Sequence, residues 1–279
     1  MINGDTELIA HIGHPTHTFK SPMIYNPYFA HNGINAVVVP MGCKAPAYPH
    51  LLRAVFQLSN IRGALITMPH KVTTVGLVDV NSTAVQIAGA CNAVRRLPDG
   101  QLQGDIFDGE GFLRGLRRKG FETRGQRALV VGAGGVGSAI AASLAATQPA
   151  YLQLNDVNPA AAQGLAQRLR SHHPDVEVVV GPNDPADMDL VVNATPLGMN
   201  EGDPMPMDMD RLSANTFVGE VVLKQHMTTF LQVAQARGCA FQVGSDMLFE
   251  QIPAYLEFFG LPTTTPDQLR RLAQLGAPL

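Results

Sequence analysis

The sequence predicts an α/β protein built from two domains with parallel sheets. Apolar segments of strand length alternate with segments of helix length, which is typical of βαβ units. The strand segments are apolar throughout instead of alternating with polar residues, as expected where helices cover both faces of a sheet. The length of 279 residues fits two domains of about 100–200 residues each.

The order of these elements indicates where the chain passes between domains. Strands are predicted at 36–39, 63–67, 128–131, 151–155, 176–180, 190–193 and 216–218, and helices at 22–32, 50–58, 109–119, 137–147, 159–171 and 227–237. One predicted helix ends at Lys119-Gly120 and a new strand begins at Ala128, so we expect the domain boundary near residues 104–127. We expect a second crossing near Gly244, before the last helices.

Composition limits the classes of partner. Charged residues make up 15% of the chain, below the usual value of about 25%, which indicates much buried surface and argues against disorder. The formal net charge is −3, so neither a nucleic-acid partner nor an anionic membrane is predicted. Residues 128–155 carry no charge and are long enough to span a bilayer, but four glycines and Pro149 interrupt them. We therefore expect no membrane span.

The cysteines bear on the redox compartment. They are Cys43, Cys91 and Cys239. Their odd number and wide spacing exclude a disulfide framework and a CxxC metal site. This usage fits a reducing, cytoplasmic compartment.

A strand followed by a GxGxxG sequence lies near the middle of the chain. The predicted strand 128–131 runs directly into the glycines, and a segment with strong helix-forming composition follows. The motif alone is weak, but here it has the strand–turn–helix context that dinucleotide binding requires. Its glycines permit a tight turn and let a pyrophosphate approach the helix N-terminus. We predict a Rossmann-type domain that binds NAD(P) through Gly132, Gly134, Gly135, Val136 and Gly137.

The next predicted strand ends in Asp156, about twenty residues beyond the glycines. A carboxylate at this position is expected to accept hydrogen bonds from the adenosine ribose and to repel a 2′-phosphate. No arginine follows it. The sequence therefore favours NAD over NADP, and the alternative is that Asp156 is an ordinary turn residue.

Lys71 lies just past the end of a predicted buried strand, in the segment 64–73, Ala-Leu-Ile-Thr-Met-Pro-His-Lys-Val-Thr. A lysine that transfers protons to a substrate needs a partner carboxylate and an electron acceptor nearby. A bound nicotinamide would supply the acceptor. Asp108 is a candidate for the carboxylate, although its position before an amphipathic helix equally fits an N-cap.

Seven segments, in the same order, resemble those of the shikimate/quinate dehydrogenase family, and the match runs nearly from end to end. Beside the glycine motif they are 12–26 (Ile-Gly-His-Pro, then Lys-Ser-Pro-Met-Ile-Tyr-Asn), 67–71 (Thr-Met-Pro-His-Lys), 89–92 (Gly-Ala-Cys-Asn), 108–109 (Asp-Gly), 193–199 (Asn-Ala-Thr-Pro-Leu-Gly-Met) and the spaced set Gly244, Met247, Leu248 and Gln251. Each segment alone is of modest specificity, but together they make a strong match.

The resemblance implies a split substrate-binding domain, residues 1–105 with 245–279, and a central dinucleotide-binding domain, residues 106–244, with the reaction in the cleft between them. It implies interconversion of a cyclic hydroxy acid and its ketone, of the shikimate type, within aromatic amino-acid biosynthesis. Lys71 is then the general acid/base and Asp108 its partner. The implied substrate-binding residues are Ser21, Thr67, Asn92 and Gln251, and those around the nicotinamide are Asn193, Thr195, Gly244 and Met247. A homodimer is compatible with this architecture.

Several positions that are polar in the family pattern are apolar here. Phe19 replaces the first hydroxyl of the S-x-S that fixes the substrate carboxylate, so only Ser21 remains. Ala93 and Phe107 stand where threonines are usual, and Leu223 where a tyrosine is usual. Each hydrogen bond lost to a charged group costs about 1.5–3 kcal/mol. The pattern predicts the same chemistry on an altered substrate, unless Phe19 and Phe107 merely fill the space left by the missing groups.

Alternatives stay open at this point. A divergent or catalytically weak member would act on quinate, an aminated shikimate or another analogue. A nicotinamide-binding regulator is a different class, but it would not need the Lys71–Asp108 pair. An unrelated two-domain dehydrogenase would act on folate-linked or aminated substrates. The recurring histidines His11, His14 and His17 suggest a metal site, but no carboxylate or cysteine joins them, so we predict none.

Overall fold

The computed structural model describes residues 2–223 and 227–275. The strands are β1 (Glu7–Gly13), β2 (Ala36–Gly42), β3 (Ile61–Ile66), β4 (Val80–Asn81), β5 (Ala93–Arg96), β6 (Leu102–Asp105), β7 (Arg127–Val131), β8 (Tyr151–Asn155), β9 (Glu177–Val180), β10 (Leu190–Asn193), β11 (Phe217–Glu220) and β12 (Phe241–Gln242). The helices are α1 (Pro22–His31), α2 (Tyr48–Val55), α3 (Lys71–Thr74), α4 (Thr83–Ala88), α5 (Asp108–Arg118), α6 (Gly135–Ala146), α7 (Pro159–His172), α8 (Thr229–Ala236), α9 (Gly244–Phe258) and α10 (Pro266–Leu272). Not one of these described helices has both the length and the apolar character that a bilayer crossing demands.

The chain divides into two compact units. The first unit contains the described residues up to Phe107 together with those from Ile252 onward, and the second unit runs from Asp108 to Gln251. The later boundary therefore falls inside α9.

The first unit is built on a six-stranded mixed sheet, in the order β2-β1-β3-β5-β6-β4. Strand β1 pairs in parallel with β2 and β3, whereas β5 pairs antiparallel with both β3 and β6. Strand–helix alternation predicts parallel pairing, and within this sheet the antiparallel pairing of β5 is the exception. Only residues 97–101 separate β5 from β6, and such a short connection permits a hairpin but not a parallel crossover.

Aromatic side chains of α1 form much of the core of the first unit. Tyr25, Tyr28 and Phe29 are all buried, and each buried side chain of this size contributes roughly 1.5–3 kcal/mol of transfer free energy. The Tyr28 hydroxyl donates a hydrogen bond to the Pro262 carbonyl at 2.8 Å. The amide of Gln274 donates to the Met23 carbonyl at 2.9 Å. The C-terminal segment is thus part of the same core as α1.

The second unit contains a six-stranded, fully parallel sheet in the order β12-β11-β10-β7-β8-β9. This is the strand order of a doubly wound dinucleotide-binding domain, and β7 and β10 flank the point where the order reverses. The central strands are buried on both faces, as their unbroken apolar sequences predict. The predicted α/β class and the Rossmann-type sheet are confirmed.

Candidate functional site

The glycine-rich segment forms the turn from β7 into α6. Gly132 has a φ of +107°, a conformation that side chains with a Cβ rarely adopt. A Cβ on Gly137 would collide with the Gly132 carbonyl, so both positions are needed by the turn itself. Gly134 and Gly135 are exposed and Val136 is half-buried. Apart from its chain neighbours, no atom of residues 2–223 and 227–275 lies within 4 Å of where a Cβ on Gly134 would be. This space adjoins the start of α6, where helix N–H groups favour an anion.

Asp156 directly follows β8 and supports this turn. Its Oδ2 accepts a hydrogen bond from the Ala133 amide at 2.6 Å, and its Oδ1 accepts one from the Asn158 amide at 2.8 Å. The neighbouring amide of Gly132 donates to the Asn155 carbonyl at 2.8 Å. The end of β8 therefore holds the glycine turn through both backbone and side chain.

Asn193 ends β10, next to the glycine turn, and is fully buried. Its Oδ1 accepts hydrogen bonds from the Thr195 amide at 3.1 Å and from the Thr195 hydroxyl at 2.6 Å. Its Nδ2 donates to the Leu197 carbonyl at 2.9 Å and to Glu220 Oε1 at 3.1 Å. The side chain of Asn193 thus shapes the 193–197 loop, and within the described chain its polar atoms are all engaged by protein.

No sequence motif marked Glu220 or Thr228 as part of the site. Glu220 ends β11, is fully buried, and its Oε2 accepts a hydrogen bond from the Thr228 hydroxyl at 2.6 Å. Burial raises the pKa of this carboxyl. A carboxylate at the end of an otherwise apolar strand was the available signal, and together with Asn193 it forms a buried network behind the 193–197 loop.

The first turns of α9 carry the predicted C-terminal site residues. A Cβ on Gly244 would collide with the Val222 carbonyl, so Gly244 permits close packing of α9 on the segment after β11. Met247 is buried, and its carbonyl lies beside Gly111 of α5. Gln251 also packs on Gly111, and its buried Oε1 has no hydrogen-bond partner within the described part of the chain.

Asp108 is the first residue of α5 and is buried. Helix α5 packs closely on α6, since a Cβ on Gly109 would collide with the Ala139 carbonyl. The small residue after Asp108 therefore fixes where this carboxylate lies in the second unit.

Lys71 opens α3 in the first unit and is half-buried. Its carbonyl accepts a hydrogen bond from the Cys91 amide at 2.9 Å. The preceding loop is bound to β1, because the Thr67 amide donates to the Ile12 carbonyl at 3.0 Å and the His14 amide donates to the Met68 carbonyl at 2.9 Å. The lysine therefore lies on a loop that is hydrogen-bonded to neighbours on both sides.

Asn92 follows Cys91 and is almost completely buried. Its Oδ1 accepts a hydrogen bond from the Phe107 amide at 3.1 Å, but its buried Nδ2 has no partner among residues 2–223 and 227–275. An unsatisfied buried donor costs about 1–3 kcal/mol. A ligand hydroxyl that accepts from Nδ2 would recover this free energy.

Ser21 immediately precedes α1, and its hydroxyl does not cap the helix. The ring of Phe19 stacks on the ring of His11, with centroids 4.0 Å apart and an interplanar angle of 23°. A Cβ on Gly13 would collide with the Thr67 methyl and lie 3.0 Å from the tip of Phe19. Phe19 therefore lies over the end of β1, beside Thr67.

Three more residues of the first unit, His11, Phe107 and Ala93, have surroundings set by burial or aromatic packing. Burial lowers the pKa of His11 to about 4, and its Nδ1 has no partner in the described chain. Phe107 makes edge-to-face contacts with Tyr255 at 4.8 Å and Phe258 at 5.4 Å. Ala93 is fully buried in β5.

Two sequence features remain: the histidines that were considered as metal ligands, and Leu223, which stands where a tyrosine is usual. His14 and His17 are exposed, and across the described residues no group of three histidine, cysteine or acidic side chains is arranged to hold a metal ion. Leu223 is 37% exposed.

Known proteins resemble this chain over most of its length. A family model described as the shikimate dehydrogenase substrate binding domain matches residues 11–94. Shikimate dehydrogenase (NADP(+)) of Rubrobacter xylanophilus is 38% identical over 254 residues, which is 90% of this chain and 89% of the relative.

Solved structures of a shikimate 5-dehydrogenase and a quinate dehydrogenase also match this chain over most of its length. Shikimate 5-dehydrogenase from Listeria monocytogenes, in complex with shikimate and NAD, matches with a TM-score of 0.91 at 26% identity over 97% of both chains. Quinate dehydrogenase from Corynebacterium glutamicum, in complex with NAD, matches with a TM-score of 0.86 at 28% identity over 96% of this chain and 99% of that one. The family predicted from the sequence motifs is confirmed: the chain belongs to the shikimate dehydrogenase family of NAD(P)-dependent oxidoreductases that act on CH–OH groups.

Proposed function

We propose that this chain interconverts a cyclic hydroxy acid and its ketone, with Lys71 as the general acid/base and Asp108 as its partner. The observation that carries the proposal is the hydrogen bond from the Cys91 amide to the Lys71 carbonyl. It brings the lysine segment to the residue before Asn92, whose buried Nδ2 lacks a partner in the described chain. The backbone of the lysine segment is thereby held next to the backbone that carries Asn92, which supports a shared role for the two side chains. The relatives named shikimate dehydrogenase and quinate dehydrogenase support this substrate class.

The chemistry divides between the cofactor and the protein. When bound, the nicotinamide exchanges a hydride with the ring carbon. Lys71 gives a proton to the ketone oxygen as negative charge develops there, and it takes the proton back in the reverse direction. Asp108 offsets the cost of desolvating the ammonium and orients it. Ser21, Thr67, Asn92 and Gln251 bind the polar groups of the substrate.

The cofactor belongs to the second unit in this proposal. Gly132, Gly134, Gly135, Val136 and Gly137 hold the pyrophosphate at the start of α6. Thr195, Gly244 and Met247 would line the nicotinamide site, and Asn193 would act by shaping the 193–197 loop. We propose NAD as the preferred carrier, because the Asp156 carboxylate would repel a 2′-phosphate. The Listeria monocytogenes and Corynebacterium glutamicum structures contain NAD, whereas the Rubrobacter xylanophilus relative is named for NADP(+).

A divergent substrate is the second candidate, and the stacked pair of Phe19 and His11 favours it. Position 19 presents an aromatic ring and no hydroxyl beside Thr67, so a substrate carboxylate has one donor fewer than the family pattern provides. A loss of about 1.5–3 kcal/mol weakens binding roughly tenfold to a hundredfold. Quinate, an aminated shikimate or a less polar analogue would then be turned over better than shikimate.

The test of the proposed function is the Lys71→Ala variant. Its turnover of reactive hydroxy acids with NAD should fall at least about 100-fold, the low end for general acid–base catalysis. The dissociation constant for NADH should stay unchanged, because Lys71 belongs to the first unit. Lys44→Ala, which removes an exposed lysine of the same unit, is the matched control. Near-normal turnover in Lys71→Ala would remove Lys71 from this role.

We also propose that the protein is cytoplasmic. Cys43, Cys91 and Cys239 are free thiols, and all are buried, which fits a reducing cytoplasm. A homodimer stays a prediction.

A further inference from the structure

The two peptide groups that flank the Cα of Lys71 are both held by hydrogen bonds. On one side, the Lys71 carbonyl accepts from the Cys91 amide at 2.9 Å. On the other side, the His70 carbonyl accepts from the Thr74 hydroxyl at 2.8 Å and from the Thr74 amide at 3.0 Å. Fixing both peptide planes fixes the direction in which the Lys71 side chain leaves the backbone.

The hydrogen bond from the Thr74 hydroxyl is itself supported by Tyr48. The two hydroxyl oxygens are 2.6 Å apart, and both residues are fully buried. Thr74 has one hydroxyl proton, which it donates to the His70 carbonyl, so Tyr48 is the donor to Thr74. The result is a directed chain from the Tyr48 hydroxyl through the Thr74 hydroxyl to the His70 carbonyl, in which each bond polarises the next.

The His70 side chain is also held in place, by the ring of Tyr48 and by the Cys43 carbonyl. Its ring stacks on the ring of Tyr48, with centroids 3.9 Å apart and an interplanar angle of 6°. Its Nε2 lies 2.8 Å from the Cys43 carbonyl, and because a carbonyl only accepts, Nε2 carries the proton. His70 is therefore held through its ring and its carbonyl at once, immediately before Lys71.

We propose that Tyr48, His70 and Thr74 are positioning residues, which set the direction of the Lys71 side chain without touching the substrate. The inference rests on the proposed role of Lys71 and extends it to three residues that do not themselves transfer a proton. Proton transfer requires the donor within hydrogen-bonding reach of the reacting oxygen, and a displacement of about 1 Å can cost about 100-fold in rate. A loosened 70–71 peptide would produce such a displacement.

Thr74 offers the cleanest test, because two substitutions separate its hydroxyl from its shape. Thr74→Val keeps the shape and removes the hydroxyl, whereas Thr74→Ser keeps the hydroxyl. We expect Thr74→Val to lower kcat about 10- to 100-fold with an unchanged dissociation constant for NADH, and Thr74→Ser to stay within about threefold of the parent. Equal kcat values for the two folded variants would overturn the proposal.

Tyr48→Phe keeps the inference testable if Thr74→Val fails to fold. It retains the ring that stacks on His70 and removes only the first donor of the chain, so kcat should fall less, by about three- to tenfold. Tyr28→Phe is the matched control, since it also removes one buried tyrosine hydroxyl bond in the same unit. Both variants should lose thermal stability, but Tyr28→Phe should keep its kcat. An equal effect of both variants on kcat would mean that the role of Tyr48 is only structural.

A double-mutant cycle distinguishes failure of this inference from failure of the proposed function. If Thr74 acts through Lys71, the ratio of kcat between Thr74→Ser and Thr74→Val should collapse to about one in a Lys71→Ala background. A ratio that persists there shows that Thr74 acts by another route. Full activity of Lys71→Ala alone would instead overturn the proposed function, and this inference with it.

Discussion

The carboxylate of Asp156 accepts a hydrogen bond from the amide of Ala133 at 2.6 Å, and thereby joins the end of β8 to the glycine turn. The same carboxylate is the group that we propose to recognise the adenosine ribose. If the proposal holds, one side chain has both a structural and a selective role, and substitutions at this position test the two.

Asp156→Asn and Asp156→Ala are expected to differ. Asparagine keeps one oxygen that can accept from Ala133 but loses the acceptor for the Asn158 amide and removes the charge. The affinity for NADPH relative to NADH should then rise at least about tenfold, or about 1.4 kcal/mol. Alanine also removes the support of the turn and should weaken both cofactors. Fluorescence titration of NADH and NADPH measures these constants. A parent protein that binds NADPH more tightly, with no change in Asp156→Asn, would contradict our account of the charge.

The glycine turn gives a second matched pair. A Cβ on Gly137 would collide with the Gly132 carbonyl, so Gly137→Ala should lower the free energy of unfolding by about 1–3 kcal/mol, as overpacking does. Gly134 has open space on its Cβ side, so Gly134→Ala should leave the stability unchanged but weaken NADH binding at least about tenfold. Thermal unfolding and NADH titration of both variants give the answer. Normal NADH affinity in Gly134→Ala would show that the pyrophosphate does not bind beside Gly134.

Substitution of Phe19 tests the altered substrate. Phe19→Ser supplies a hydroxyl at a position that now presents only a ring, and the KM for shikimate should fall about tenfold or more. Phe19→Ala removes the ring without adding a donor and is the control for bulk alone. Steady-state kinetics with shikimate and quinate compares the three proteins. An equal gain in both variants would show that the size of Phe19, and not the missing donor, sets the preference.

His11 predicts a loss of stability in mild acid. Burial lowers the pKa of His11 from 6.5 to about 4. Between these two pH values the imidazole is protonated in the unfolded chain but neutral in the folded protein. The free energy of unfolding should therefore fall as the pH drops from about 6.5 to about 4, by about 3 kcal/mol for this group at about 1.4 kcal/mol per unit. Denaturant unfolding of the parent and of His11→Val at several pH values checks this, with His17→Gln as the exposed control. Parallel pH curves for parent and His11→Val would refute it.

Sequence periodicity predicted the second unit better than the first. The central strands of the second unit have mostly apolar sequences, and the glycine motif marks the first turn, so the parallel sheet could be anticipated. In the first unit, β1 contains the polar His11 within an apolar sequence, and no strand was predicted there. The hairpin of β5 and β6 was also missed, because short mixed strands carry little periodic signal.

The hydrogen-bond partners of the site residues could not be predicted from the sequence either. Motif positions located Lys71 and Asn92, but a motif does not reveal which groups a side chain binds. Asn193 is predicted beside the cofactor, but the sequence did not indicate that its amide would be engaged by Thr195, Leu197 and Glu220. Tyr48 and Thr74 lie 26 positions apart in the chain, and only the folded backbone brings their hydroxyls together.

The bonds from the C-terminal segment to α1 have a consequence for synthesis on the ribosome. Residues 108–251 of the second unit emerge as one uninterrupted stretch, whereas the first unit is completed only when residues beyond 251 have followed. A nonsense codon soon after position 251 would spare Lys71 in the message, but Tyr28 and Met23 would lose their partners Pro262 and Gln274. Loss of the residues that follow position 251 would therefore disable the lysine-bearing unit, although Lys71 itself lies much earlier in the chain.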